Sequence, residues 1–222
     1  MTEAISEYGS VIIKVAGEKL YLLPDKALYL PDHNILVISD IHLGKITHFR
    51  KNGIGIPQSA LQDNFDRLEL LIDSITPDRV IFLGDLFHSS YNSEWTLLKD
   101  FISTRNEISF ELILGNHDIL NPTIYAQSNL ATVKSISIGN ILFTHEPLEI
   151  IPPKLYNIYG HIHPAVKLIG TGRQSLRLAC YFFSDHYAVM PAFGTFTGMY
   201  TLKPKSSDRI FVIADDKVLS VS

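Results

Sequence analysis

A single cysteine in 222 residues, Cys180, leaves no partner for an internal disulfide. A reducing, cytoplasmic setting is the expectation that follows. Long apolar runs are also missing. The longest, such as Ile35–Ile38 and residues 80–83, are strand-sized, far short of the ~20 residues that cross a bilayer. The first residues, Thr2, Glu3, Ala4 and Ile5, show no basic stretch followed by an apolar one, so no signal peptide is expected. A basic excess is absent too: 19 Lys and Arg stand against 23 Asp and Glu, a net charge of −4. That balance gives no support to tight binding of nucleic acid by overall charge, and no long basic tail or separate binding module is present. Repeats, low-complexity tracts and Ser/Gly linkers are lacking as well. One domain spanning 1–222 is the reading that fits this length.

What is present is core material. Hydrophobic residues make up 46% and charged residues 19%, which excludes a disordered chain. Strands are predicted at 11–15, 19–23 and 35–38, broken by Gly17, Pro24 and Pro31. A helix fits 57–75: Pro57 suits a first helical position, and Leu61, Phe65, Leu68 and Ile72 recur at helical spacing. Further strands are predicted at 80–83 and 110–114, with a helix at 93–104 between them. The rest reads as strands at 133–138, 141–144, 156–159, 166–169, 176–183, 187–190 and 209–214. Early βαβα alternation followed by many short strands favours a mixed α/β sandwich over one doubly wound sheet.

The polar residues are not scattered. Five strand-like runs end in Ser39-Asp40-Ile41-His42, Gly84-Asp85-Leu86-Phe87-His88, Gly115-Asn116-His117-Asp118, Thr144-His145-Glu146 and Gly160-His161-Ile162-His163. Six of the nine histidines fall in these segments, and strand ends are where α/β folds display chemistry. Imidazole nitrogens and carboxylate oxygens converging from several strands are what a hydrolytic two-metal site requires, with one carboxylate able to serve both ions. Residues two apart after a strand can aim at one point, as Asp40 with His42 and His161 with His163. Glycines 84, 115 and 160 precede ligands, where the backbone must turn tightly or come close. Asn116 contributes a neutral oxygen, so two carboxylates facing two divalent ions leave an excess positive charge for phosphate and for lowering the pKa of a bridging water. Two such ions would also bring the chain's formal charge to zero.

In kind and order these segments resemble the calcineurin-like metallophosphoesterase superfamily, with its D-x-H, G-D, G-N-H-D/E, H and G-H-x-H pattern. The resemblance implies a four-layer αββα sandwich of two mixed sheets flanked by helices. It implies one metal held by Asp40, His42, Asp85 and His163, and a second held by Asp85, Asn116, His145 and His161. It places His117 at the phosphoryl transition state or the leaving oxygen, with Asp118 orienting it. Mixed nitrogen and oxygen donors suit Mn²⁺, Fe²⁺ or Zn²⁺; analogy with the nuclease branch selects Mn²⁺.

The stretch 84–90 resembles the second motif of the Mre-eleven/SbcD-type nucleases, which implies that His88 positions a DNA backbone. Asp40-Ile41-His42-Leu43-Gly44-Lys45 with Phe49-Arg50, Gly160 to Val166, and 191–198 resemble a bacterial subgroup, the ligase-associated DNA damage response endonucleases (PdeM). That resemblance implies a DNA endonuclease or phosphodiesterase acting beside a DNA ligase and a helicase. Lys45, His48, Arg50 and Lys51 after the first motif, and Lys167, Arg173 and Arg177 after the last, are candidate phosphate contacts. Without a dedicated DNA-binding module, single-stranded or distorted ends fit better than intact duplex. The alternatives are a phosphatase or nucleotide hydrolase for small phosphoesters, and a non-catalytic scaffold. Cys180 is expected as a buried strand thiol, and 191–198 as a loop packed near the site.

Overall fold

The computed structural model describes residues 9–45, 53, 59–87, 93–195 and 197–221. Two mixed β-sheets lie face to face. The first runs in spatial order β1 (Val11–Val15), β2 (Glu18–Leu22), β3 (Ala27–Leu30), β4 (Ile35–Ile38), β5 (Arg79–Phe82), β6 (Ser109–Ile113) and β7 (Leu130–Val133). β1 to β4 form an antiparallel meander, whereas β4 to β7 are parallel. The parallel half is wound through helices α1 (Ser59–Ile75), α2 (Ser93–Ser103) and α3 (Pro122–Ala126), the crossovers that parallel neighbours require.

Alternation along the central strands shows how these residues build layers. Leu36 and Ile38 of β4, Val80 and Phe82 of β5, and Phe110 and Leu112 of β6 face one way. They pack on Leu68 and Ile72 of α1 and on Trp95 and Leu98 of α2. Val37, Ile81 and Ile113 face the other way and meet Phe143, Ile158, Tyr181 and Phe183 of the second sheet. Strands buried on both faces read as unbroken apolar runs, as 35–38 and 80–83 do.

The second sheet contains β8 (Ile136–Ile138), β9 (Ile141–Thr144), β10 (Tyr156–Tyr159), β11 (Pro164–Ile169), β12 (Ser175–Phe183), β13 (Tyr187–Val189), β14 (Tyr200–Thr201), β15 (Arg209–Ala214) and β16 (Lys217–Ser220). Its order is β14-β11-β12-β13-β10-β9-β8, with β15 and β16 extending from β12. β9, β10 and β13 are parallel. The nine-residue β12 pairs with β11 through its first half and with β13 and β15 through its second. A third apolar cluster, including Cys180, Phe182, Val189 and Val212, lies apart from the inter-sheet core.

The sequence predicts one strand over 133–138. The structure has two, in different sheets, with Lys134 and Ser135 carrying the chain across. β3, β14, β16 and α3 were not predicted; they are two to five residues long, and Pro31, read as a break, begins a 3-10 turn directly after β3. The expected helix start at 57–58 lies outside the described residues. No helix among the described residues is long and apolar enough to cross a membrane.

Candidate metal centre

The parallel strands β4, β5, β6, β9 and β10 all deliver their C-terminal ends to one edge of the sandwich. Past those ends the loops continue in register. Asp40 N–H donates to Gly84 O at 3.2 Å, His42 N–H to Asp85 O at 2.9 Å, and Leu43 N–H to Leu86 O at 2.9 Å. In the second sheet Gly160 N–H donates to His145 O at 3.1 Å. Five of the expected ligands have left-handed backbones, with φ of +54° at Asp40, +53° at His42, +48° at Asp85, +64° at His161 and +54° at His163. Each costs roughly 1–2 kcal/mol for a residue with a Cβ, and such outliers concentrate at functional sites.

Glycine is required where these loops touch. Gly84 has φ +77°, and a Cβ there would fall 2.1 Å from His145 Nδ1; at Gly115 it would lie 2.4 Å from Asp85 Oδ1. Both positions are glycine because a ligand side chain occupies the space.

The expected ligands form two groups. Asp40, His42 and His163 make one; Asp85, His145 and His161 make the other. In the first, His42 Nε2 faces His163 Nε2 at 3.3 Å, and His163 Nε2 faces Asp40 Oδ1 at 3.3 Å. In the second, His145 Nε2 lies 3.2 Å from His161 Nδ1 and 3.3 Å from Asp85 Oδ1. Asn116 Oδ1 is 3.2 Å from both imidazole nitrogens. Asp85 stands between the groups, its Oδ2 being 3.8 Å from His42 Nε2. Donor atoms bound to one ion at about 2.0–2.2 Å are themselves about 3.0–3.6 Å apart, so these spacings fit the edges of two coordination shells.

Tautomers sharpen the fit. His145 Nδ1–H donates to Leu83 O at 3.0 Å, and His163 Nδ1–H to Gly198 O at 2.9 Å. In the neutral rings the Nε2 lone pairs therefore point into the clusters. Lone pairs converging on one another repel unless a cation lies between them. Without metal, a proton fills that role at His145. Burial disfavours its charge, but the Asp85 hydrogen bond and the charges of Asp40 and Asp85 outweigh burial and raise its pKa to about 9. Burial would raise the Asp85 pKa, yet His145 and the His117 N–H hold it well below the carboxylate range. His42 goes the other way: burial lowers its pKa to about 3, against the pull of Asp40 and Asp85.

Neighbouring groups fix this cluster. Asp40 accepts from Ser39 Oγ and, at 3.0 Å, from His161 N–H. His117 N–H donates to Asp85 Oδ1 at 3.0 Å, and its half-buried ring lies 5.6 Å from that of His42. The Asp118 oxygens accept from Phe87 N–H at 3.0 Å and Gly115 N–H at 2.9 Å, tying the β5 and β6 loops together. Its burial raises its pKa to about 6. The recorded contacts of Asp118 thus position two ligand-bearing loops, a role that the spacing alone did not suggest.

The 191–198 segment also packs here. Phe193 N–H donates to Ser39 O at 2.9 Å and Gly194 N–H to Asp40 O at 3.2 Å, while Gly198 O holds His163. The roles of Ser39, Leu83 and Gly198 were not read from the sequence, the latter two because they act through backbone carbonyls that leave no residue-type signal. Lys45 is half-buried, and burial lowers its pKa against the charges of Asp85 and Asp40. His88 and Arg50, predicted to bind substrate, lie outside the described residues, as do His48 and Lys51. His33 contacts Glu18 at 2.8 Å and takes no part in either cluster. Cys180 is buried, with its thiol pKa pushed up to about 12 by burial.

Residues 33–194 match the calcineurin-like phosphoesterase family, nearly three-quarters of the chain and all of the site. The chain belongs to that family. Among solved structures it is similar to the nuclease MPE of Pseudomonas putida, with a TM-score of 0.77 and 25% identity over 96% of this chain and 100% of that one. It is also similar to the phosphoesterase Yfce of E. coli, with a TM-score of 0.44 and 13% identity over 84% of this chain and 97% of that one. Comparison with curated protein sequences finds no match. The family and the paired clusters make this chain a metal-dependent phosphoesterase.

Proposed function

We propose that the enzyme hydrolyses phosphodiester bonds in nucleic acid, with DNA that is single-stranded or distorted at its ends as substrate. The observation that carries this reading is the pair of donor clusters with Asp85 between them. Its similarity to a nuclease over essentially the full length of both chains favours a diester over a monoester. Asp40, His42, Asp85 and His163 would hold one ion, and Asp85, Asn116, His145 and His161 the other. Two divalent ions, Mn²⁺ by preference, would supply positive charge to the phosphoryl oxygens and lower the pKa of water there.

The chain's own groups do the rest. Asp85 balances charge between the two clusters, and the neutral Asn116 amide leaves the second cluster more positive than a carboxylate would. As a water oxygen bonds to phosphorus, the bond to the leaving oxygen breaks, and that oxygen takes a proton from His117. Asp118 keeps Gly115 and Phe87 in place, and with them the loops carrying Asn116, His117 and Asp85. Arg50, Lys45 and His88 are assigned to the substrate backbone. In the cell, DNA repair beside a ligase and a helicase is the proposed setting.

The test is turnover with Mn²⁺ of bis-p-nitrophenyl phosphate, its monoester, and labelled single- and double-stranded DNA. Cleavage of the diester and of single-stranded DNA supports the reading. Activity confined to the monoester overturns it in favour of a small-molecule phosphatase.

A further inference from the structure

Outside the motifs, a lysine fourteen residues before Asp40 shares the lining of one cavity with His163. The β2–β3 turn, Pro24-Asp25-Lys26, puts Lys26 in a left-handed conformation, φ +65°, a position that normally favours glycine or asparagine. The turn is clamped from three sides. The buried Tyr181 hydroxyl donates to Leu23 O at 2.6 Å and Ala27 O at 2.8 Å. Arg67 donates to Asp25 O at 3.2 Å and to Phe193 O at 3.0 Å, with its guanidinium 4.3 Å from the Phe193 ring centre. Lys26 N–H closes the turn on Leu23 O at 3.1 Å. The side chain thus leaves from a rigid base.

Lys26 lines a small cavity of about 130 Å³ whose other walls include His163, Thr195, Thr197 and Met199. His163, a member of the first donor cluster, is therefore also a wall of this cavity. Lys26 and Thr195 also line a larger cleft of about 650 Å³, which continues past Arg67 to Asp25, Asp215 and Asp216. Among the described residues, no carboxylate forms an ion pair with Lys26. Its ammonium is half-buried, and burial followed by the Arg67 charge lowers its pKa. An ammonium near a second positive charge, with no carboxylate ion pair among the described residues, favours an anion as its contact.

We propose that Lys26 binds the phosphate next to the scissile one, in a subsite on the His163 side of the centre that selects polynucleotides over isolated phosphoesters. This rests on the phosphodiesterase reading above. Thr195 adds a hydroxyl to the lining, whereas the Thr197 hydroxyl donates to Gly194 O at 2.9 Å. The far end of the larger cleft is mixed in charge, with Asp25, Asp215 and Asp216 beside Lys217.

The test compares the wild type with Lys26→Met and Lys26→Arg on bis-p-nitrophenyl phosphate, which has no neighbouring phosphate, and on a labelled single-stranded oligonucleotide. Lys26→Met should lower kcat/KM on the oligonucleotide about tenfold to a hundredfold more than on the small diester, mainly through KM, the range for a lost charged hydrogen bond. The slope of log(1/KM) against log salt should flatten by about 0.7, the increment for one phosphate on a single strand. Lys26→Arg should recover most of both. Equal losses on the two substrates, or no loss on either, overturn the subsite while leaving the diesterase reading intact. A wild type that cleaves only the monoester overturns both.

Discussion

Replacing Gly84 with alanine should remove one of two metal sites and leave the other. The added Cβ would lie 2.1 Å from His145 Nδ1, 2.4 Å from its Cγ and 2.7 Å from its Cβ. Ordinary contact begins near 3.4 Å, so the imidazole must retreat by roughly 1.3 Å. Coordination tolerates displacements of only about 0.2 Å. The retreat also breaks the Nδ1–H bond to Leu83 O, worth about 1 kcal/mol. Alanine at φ +77° adds about 1–2 kcal/mol of backbone strain. The Asp40, His42 and His163 cluster has no direct contact with that Cβ among the nearest atoms. Metal analysis after Mn²⁺ loading and dialysis should therefore fall from two ions per chain to one. Turnover should drop by at least a hundredfold, and the melting temperature by several degrees. A Gly84→Ala protein that keeps two ions and activity within twofold of wild type would refute the assignment of His145 and the close-approach argument together.

Three further outcomes are expected. Asp85→Asn should nearly abolish turnover and lower metal content at both clusters, measured by the same metal analysis, because Asp85 faces nitrogens of each. His117→Ala should retain both ions yet lose roughly 10²–10⁴-fold in kcat, the range for a missing general acid; full activity would remove His117 from that role. Metal binding should release close to one proton from His145 at pH 7, because its metal-free pKa is about 9 and a ligand imidazole must be neutral. Apparent affinity of the second cluster then falls about tenfold per unit as pH drops below 9, which calorimetry in buffers of different ionisation enthalpy would detect; no proton release would contradict it.

The donor set was legible because each ligand follows an apolar strand and carries a side chain with few other uses in such a place. The pattern marked the five segments, and the resemblance implied Asp40, His42, Asp85, Asn116, His145, His161 and His163 within them. The split into two sets was implied by resemblance; in the structure Asp40, His42 and His163 lie together, as do Asp85, His145 and His161. Other features left no mark in the sequence. The left-handed backbones of the ligands and the Leu83 and Gly198 carbonyls are main-chain properties. The 133–138 segment looked like one strand because local pattern does not reveal which sheet a strand joins. Lys26 carried no signal because it lies outside every motif, and its shared cavity with His163 exists only once the two sheets pack. The resemblance implied that Asp118 orients His117; that its oxygens also hold backbone amides of two loops left no mark in the sequence.

The crossing at Lys134 and Ser135 has a consequence for how the enzyme matures. Every donor before it belongs to the first sheet, and every donor after it to the second. Each cluster draws on both: Asp40 and His42 with His163, and Asp85 with His145 and His161. An ion in either place is therefore a rivet through two layers that the chain makes at different times. Neither sheet alone carries a complete set of donors, so an ion held by either set would need the chain through His161 or His163 and the two layers packed. Once bound, the ion opposes their separation by mass action. Metal occupancy would then report on whether the two layers have packed along their working edge.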